Sequence, residues 1–134
     1  MKYLLDTNVC IKYLKGNSSN IYNKLNSVDL NDVCICSVVR YELFYGAYKS
    51  NKQNETLEKI NSFLNNFGEV SFDYKAAEIC GKLRAELDMK GTPIGPYDLQ
   101  IASVALVNDL TLVTNNVKEF GRISGLSIED WESN

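Results

Sequence analysis

The chain has 134 residues, of which 45% are hydrophobic and 23% are charged, with a net charge of −3 and no histidine. This length predicts a single domain spanning residues 1–134, and neither a run of about 18 apolar residues nor a signal peptide is present, so we expect a cytoplasmic protein with no membrane contact. The absence of histidine excludes Ser-His-Asp, Cys-His and paired-histidine catalysis. Any hydrolysis must therefore rely on carboxylates, a metal, lysine or tyrosine.

The N-terminal half alternates short apolar strands with pairs of helices. Gly16 ends the first helix, because glycine readily adopts the left-handed backbone that closes a helix. Ser37 follows an apolar, β-rich run and is a suitable N-cap for the next helix. In chain order, we predict a strand at 2–5, helices at 8–15 and from about 20 to 27, a strand at 32–36, a helix from 37 to about 48 and a helix within 51–66.

The C-terminal half continues this alternation. Asp73 is the predicted cap of a long helix, and Pro96, which lacks a backbone donor, suits the first turn of another. Two helices between consecutive strands predict parallel crossovers, and hence an α/β fold with a central, mainly parallel sheet flanked by helices. In chain order, we predict an extended segment at 70–72, helices from 73 to about 90 and at 97–108, a strand at 110–113, a helical turn ending at 120 and a last extended piece near 126–128.

Acidic or amide side chains lie where these strands end or the following helices begin. Asp6 follows the first strand, Glu42 lies on the helix after the second, Asp98 lies in the first turn of its helix, and Asn116 and Glu119 follow the strand near 110. Strands near residues 2, 33 and 110 would lie side by side if parallel, which would bring these segments to one sheet edge. Carboxylate oxygens are the ligands that Mg²⁺ and Mn²⁺ prefer, so the pattern predicts a metal site.

Each of these side chains also has an ordinary structural explanation. Asp6 could simply end a strand, Glu42 could be an exposed helix residue, and Asn116 could lie in a turn. Asp98 could be a helix-start acid, which the macrodipole favours. Because these side chains occur together at several junctions between strands and helices, a shared functional site is favoured over four separate structural roles.

The negative net charge is unusual for a protein that binds nucleic acid. If four acids point into one metal site, however, the 14 basic residues nearly balance those that remain. Each candidate phosphate contact is also explained as a solvated surface charge. The candidates are Lys12, Lys15, Arg40, Lys49, Lys52, Lys82, Arg84 and Lys118.

Four aromatic residues lie on the predicted helix that carries Glu42. They are Tyr41, Phe44, Tyr45 and Tyr48. The i, i+4 spacing of Phe44 and Tyr48 favours core packing or self-association, and stacking on unpaired bases is the alternative.

The cysteines form no C-x-x-C pair, which with the lack of histidine argues against a zinc site. Cys10, Cys34, Cys36 and Cys80 are instead typical of small buried side chains in a reducing compartment.

Four segments resemble the successive motifs of the VapC-type, PIN-domain ribonuclease toxins, and the C-terminal run from Gly125 to Trp131 is similar to the usual VapC ending. The resemblance covers essentially the whole chain, and its specificity rests on four ordered motifs at matching separations. The motifs are Leu4-Leu5-Asp6-Thr7-Asn8, Ser37-x4-Glu42-Leu43-x2-Gly46, Gly95-Pro96-x-Asp98-x2-Ile101-Ala102 and Val113-Thr114-Asn115-Asn116-x2-Glu119-Phe120.

This resemblance implies a Mg²⁺- or Mn²⁺-dependent endoribonuclease toxin of a type II system, in which a metal-activated water attacks the phosphodiester. It assigns Asp6, Glu42 and Asp98 as metal ligands and catalytic residues, with either Asn116 or Glu119 completing the site. It also implies a VapB-type antitoxin, whose C-terminal segment occupies a groove near the acids, and a homodimer. Likeness to enteric-type members implies tRNA as the RNA substrate, with the anticodon stem-loop of initiator tRNA as the candidate target.

Two other functions remain open from the sequence. An aspartate-based phosphohydrolase also uses acids at strand ends, but Asp6-Thr7-Asn8 lacks the second acid of a D-x-D motif. A catalytically silent PIN-like module would keep the acids and only bind a partner.

Overall fold

The computed structural model describes residues 1–133, and its five strands form one fully parallel sheet. The strands are β1 (Tyr3–Leu5), β2 (Val33–Cys36), β3 (Gly68–Val70), β4 (Thr111–Val113) and β5 (Ile128–Glu129). Their order across the sheet is β3-β2-β1-β4-β5. The predicted parallel alignment of the strands near residues 2, 33 and 110 is therefore confirmed.

Pairs of helices connect the first four strands, as predicted. A parallel sheet needs such crossovers, because each strand must start again from the same edge as the one before it. The helices are α1 (Thr7–Lys15), α2 (Ser19–Ser27), α3 (Ser37–Lys49), α4 (Gln53–Leu64), α5 (Tyr74–Met89), α6 (Pro96–Val107) and the short α7 (Val117–Phe120), and a 3₁₀ turn spans Leu30–Asp32.

The core lies on both faces of the central strands. Every residue of β1 and β2 is buried, as expected for strands covered by helices on both sides. The edge strand β3 is exposed or half-buried along its length. Helix α6 packs its buried residues, Ile101 and Val104 among them, into this core.

Local sequence determines where several helices begin and end. Gly16 closes α1 with a φ of 68°, in the left-handed region that glycine adopts at little cost. The Asp73 side chain accepts a hydrogen bond of 3.0 Å from the Ala76 backbone N–H at the start of α5, as predicted. Pro96 occupies the first turn of α6.

Three local predictions were wrong. The third strand is Gly68–Val70 rather than 70–72, and the last is Ile128–Glu129 rather than 126–128, because pairing with β2 and β4 decides the register of these edge strands. Ser37 is the first residue of α3 and not its cap. Its hydroxyl oxygen instead accepts a hydrogen bond of 3.0 Å from the Phe72 backbone N–H.

Three of the four cysteines are buried, namely Cys10, Cys34 and Cys36, whereas Cys80 is half-buried. Burial raises the pKa of Cys10 well above its ordinary value, and that of Cys34 and Cys36 to about 11. The buried cysteines are therefore protonated core side chains at neutral pH. Within residues 1–133, no helix is both long enough and apolar enough to span a bilayer.

Candidate functional site

The C-terminal ends of β1, β2 and β4 and the start of α6 meet at one edge of the sheet, and the predicted site residues lie there. Asp6 directly follows β1, Glu42 lies on α3, and Asp98 lies in the first turn of α6. Asn116 and Glu119 come from the turn after β4 and from α7. Folding therefore brings all five predicted residues to the same edge.

Asp6 is the most deeply placed of the acids, with only 4% of its surface exposed. Its carboxylate accepts hydrogen bonds of 2.8 Å from the Thr7 backbone N–H and from the Thr114 hydroxyl. Burial raises the pKa of Asp6, the charge of Glu42 adds to this rise, and the two hydrogen bonds oppose it. The carboxylate is thus held in one orientation in an environment that disfavours its charge.

Asp98 is half-buried and faces the other acids. Burial, and after it the negative charges of Asp6, Glu119 and Glu42, together raise the pKa of Asp98 to about 6. Asp6, Glu119 and Glu42 therefore lie close enough to Asp98 for their negative charges to act on it.

Two threonines, which sequence analysis did not select, hold the acids in place. The Thr7 hydroxyl donates a hydrogen bond of 2.7 Å to Glu42 Oε1. Thr114, which is fully buried, donates to Asp6 and accepts a hydrogen bond of 3.1 Å from the Asn116 backbone N–H. Thr7 directly follows Asp6, and Thr114 lies two residues before Asn116. This closeness in the sequence was the signal that could have identified them.

Asn116 and Glu119 act as a pair in this arrangement. The Asn116 side-chain N–H donates a hydrogen bond of 2.9 Å to Glu119 Oε2. The amide nitrogen is therefore committed to Glu119, and only the carbonyl oxygen of Asn116 can contact a cation. The structure thus links the two candidates for the last position of the site by one hydrogen bond.

The oxygen-bearing side chains at this edge have the chemistry that a hard divalent cation needs in its ligands. Within residues 1–133, the ion pairs are Lys12 with Glu132, Arg40 with Glu69 and Lys59 with Glu55, and none of them involves the carboxylates at this edge. Oxygen ligands with uncompensated negative charge suit Mg²⁺ or Mn²⁺. Among the residues described, no three carboxylate or thiolate side chains already surround a common point.

A groove of about 480 Å³ runs along α3 between α1 and α4 and reaches Glu42. Its apolar lining includes Ile11, Leu14, Leu43 and Ile60. An extended or helical segment with apolar side chains could occupy it and approach the acidic edge.

The aromatic residues of α3 were only partly interpreted correctly. Phe44 packs against the core, but Tyr41, Tyr45 and Tyr48 are 53%, 57% and 60% exposed, so core packing is wrong for the tyrosines. Self-association and base stacking stay predictions. Two of the candidate phosphate contacts, Lys12 and Arg40, are engaged in the ion pairs above.

Comparisons with known proteins agree with the motifs. The PIN domain profile matches residues 3–126. The chain is 42% identical over 131 residues to the tRNA(fMet)-specific endonuclease VapC of Salmonella typhimurium, covering 98% of both chains. It is 41% identical over 133 residues to ribonuclease VapC2 of Rickettsia felis, covering 98% of this chain and 99% of that one. A crystal structure of DNA-bound VapBC from Salmonella typhimurium superposes with a TM-score of 0.92 at 42% identity, covering 98% of both chains.

Proposed function

The chain belongs to the PIN-domain family and, within it, to the VapC ribonucleases, and from this premise we propose that it is a single-domain, metal-dependent endoribonuclease toxin. The observation that carries the proposal is the convergence of Asp6, Glu42 and Asp98 at one sheet edge, where none of the ion pairs among residues 1–133 involves them. Such a site favours a hard cation and, through it, a phosphodiester.

Asp6, Glu42 and Asp98 would hold the cation, with Mg²⁺ the first choice and Mn²⁺ the alternative. When bound, the cation would lower the pKa of a water molecule and offset the negative charge of the phosphodiester. Attack by water at phosphorus would leave a 5′ phosphate and a 3′ hydroxyl, without using the 2′ hydroxyl of RNA.

The other residues of the edge position these carboxylates. Thr7 and Thr114 restrict Glu42 and Asp6 to single orientations through the hydrogen bonds described above. Glu119, held by the Asn116 amide, adds a fourth carboxylate. In the absence of histidine, a proton released from water would pass to a carboxylate, a lysine or a tyrosine, or to solvent.

The proposed substrate is tRNA, and the first candidate is initiator tRNA cut in its anticodon stem-loop. The support is the tRNA(fMet)-specific activity in the name of the Salmonella relative, at 42% identity over nearly the whole chain. Such an enzyme would act in the cytoplasm, where charged and initiating tRNAs are found.

The proposed partner is a VapB-type antitoxin, since the superposable structures include VapBC complexes. The groove between α1, α3 and α4 has the apolar lining and the position beside Glu42 that an inhibitory antitoxin segment requires. Two such toxin chains would pair as a homodimer.

The test is cleavage of purified tRNAs by the isolated protein with Mg²⁺, with Mn²⁺ or with chelator, beside the Asp98→Asn variant. We expect a single cut in initiator tRNA that requires the metal and is lost in the variant. Cleavage that persists in chelator or in the variant would show a contaminating nuclease. No cleavage of any RNA, together with metal-independent antitoxin binding, would favour a silent binding module.

A further inference from the structure

Two exposed tyrosines flank the acidic edge. Tyr41 directly precedes Glu42 on α3, and Tyr97 directly precedes Asp98 in the first turn of α6. Their side chains are 53% and 43% exposed. The two helices that supply Glu42 and Asp98 to the site therefore each carry an exposed aromatic residue directly before the acid.

The two rings are in contact and have a defined relative orientation. Their centroids lie 5.6 Å apart with an angle of 67° between the planes, and the two hydroxyl oxygens are 3.2 Å apart. An edge-to-face contact of this kind orients both rings without burying them. Exposed aromatic surface thus remains on both tyrosines, while their hydroxyl groups share one hydrogen bond.

We propose that Tyr41 and Tyr97 form a binding site for an unpaired nucleobase adjacent to the scissile phosphate. The site rests on the proposed ribonuclease function, because a phosphodiester at the acids would place its neighbouring bases beside these two residues. Unpaired bases stack on aromatic rings, and tyrosine hydroxyls can in addition contact base edges.

A second copy of the chain is the competing occupant of this surface. Covering Tyr41 and Tyr97 with another protein would also remove water from Asp98, on which the charges of Asp6, Glu119 and Glu42 already act. Burying unpaired charge is costly, and interface centres are depleted of charged residues. An RNA that arrives with the divalent cation compensates the same charges instead.

The test measures KM and kcat for cleavage of a synthetic anticodon stem-loop of initiator tRNA. The variants are Tyr41→Ala, Tyr97→Ala, the double variant, and Tyr→Phe at each position. Tyr22→Ala is the matched control. Tyr22 is 54% exposed and stacks on Tyr13 with centroids 5.8 Å apart, and α2, on which it lies, carries none of the acids.

We expect the alanine variants to raise KM about tenfold and the double variant by more, with kcat within about twofold of wild type. The Phe variants should keep most of the affinity, and Tyr22→Ala should behave as wild type. A stem-loop with an abasic nucleotide beside the cut should lose the same affinity with wild-type protein. With the double variant, the abasic stem-loop should bind almost as well as the intact one, since the missing base and the missing tyrosines remove the same contact.

Unchanged KM in the alanine variants, or an equal loss in Tyr22→Ala, would overturn the site. The site would also be overturned if the abasic nucleotide raised KM by the same factor in the double variant as in wild type. A change of oligomeric state in the double variant, seen by sedimentation, would assign the surface to a second copy of the chain. If wild type cuts no RNA, the ribonuclease proposal itself fails, which is a separate outcome.

Discussion

Thr114 shows how one buried hydroxyl can organise several functional side chains. It donates to Asp6 and accepts from the Asn116 backbone, while Asn116 in turn holds Glu119. A hydroxyl can do both at once because it carries one donor and two acceptor positions. The orientation of the buried Asp6 carboxylate therefore depends on a residue that does not itself contact the proposed cation.

Thr114→Val keeps the shape of the side chain and removes the hydroxyl. We expect it to lower the free energy of unfolding by about 1–3 kcal/mol, because Asp6 loses a hydrogen bond in a buried position. Cleavage should fall at least tenfold, since the carboxylate is no longer fixed. Urea unfolding and single-turnover cleavage measure the two effects. Thr111→Val, on the half-exposed part of the same strand, is the control, and equal behaviour of the two variants would contradict this role.

Asp98 makes the stability of the metal-free protein depend on pH. Its pKa of about 6 in the folded protein lies above the ordinary value of 3.8, so the folded state binds more protons than the unfolded state between these limits. The contribution of Asp98 to stability is thus present below about pH 4 and is lost as the pH rises through 6.

Asp98→Asn should therefore be more stable than wild type at pH 7 in chelator, by about 1–2 kcal/mol, and nearly equal to it at pH 4. Urea unfolding at both pH values tests this. Asp88→Asn, an exposed carboxylate on α5, should show no such difference. Wild type and Asp98→Asn of equal stability at pH 7 would mean that the carboxylates do not repel one another as described.

At the scale of the elements, the groove along α3 is the surface that we propose for antitoxin binding. Gly46 lines the groove on α3, and a Cβ atom added there would meet no atom within 4 Å. A side chain at this position can therefore enter the groove without disturbing the helix, and replacing a glycine inside a helix also removes a conformational cost.

Gly46→Trp should weaken binding of the cognate antitoxin at least tenfold while cleavage of RNA remains within about twofold of wild type. Calorimetric titration and the tRNA assay measure the two properties. Gly81→Trp is the matched control, because Gly81 is also an uncrowded helical glycine but lies on α5, outside the groove. Antitoxin binding that survives in Gly46→Trp would place the antitoxin on another surface.

At the scale of the whole molecule, the acidic edge is a local excess of charge on a chain whose net charge is only −3. Since the ion pairs among residues 1–133 lie elsewhere, a bound cation would relieve the repulsion among Asp6, Glu42 and Asp98. Anything that binds only the folded state stabilises it in proportion to its affinity.

Mg²⁺ added to chelated wild type at pH 7 should raise Tm by several degrees, and the increase should shrink as the pH falls below about 6, because protonated Asp98 is a poor ligand. Differential scanning calorimetry measures the shift. Asp98→Asn should show little or no increase. Equal increases in both proteins would indicate that the cation binds elsewhere.

The parallel α/β arrangement and the helix pairs between strands could be predicted from the sequence. So could the sheet edge to which Asp6, Glu42, Asp98, Asn116 and Glu119 are brought. These features follow from apolar runs, capping residues such as Gly16 and Asp73, and the rule that parallel strands end at the same edge. They are encoded by neighbours in the chain, which is why they could be predicted without coordinates.

Tertiary structure alone decided the contacts between distant parts of the chain. Thr114 and Asp6 are separated by 108 positions, and Tyr41 and Tyr97 by 56, so no local pattern reveals that their side chains meet. The register of β3 and the contact of Ser37 with Phe72 likewise depend on pairing across the sheet. Side-chain hydrogen bonds and edge-strand register are set by packing, since several partners are equally compatible with the same local sequence.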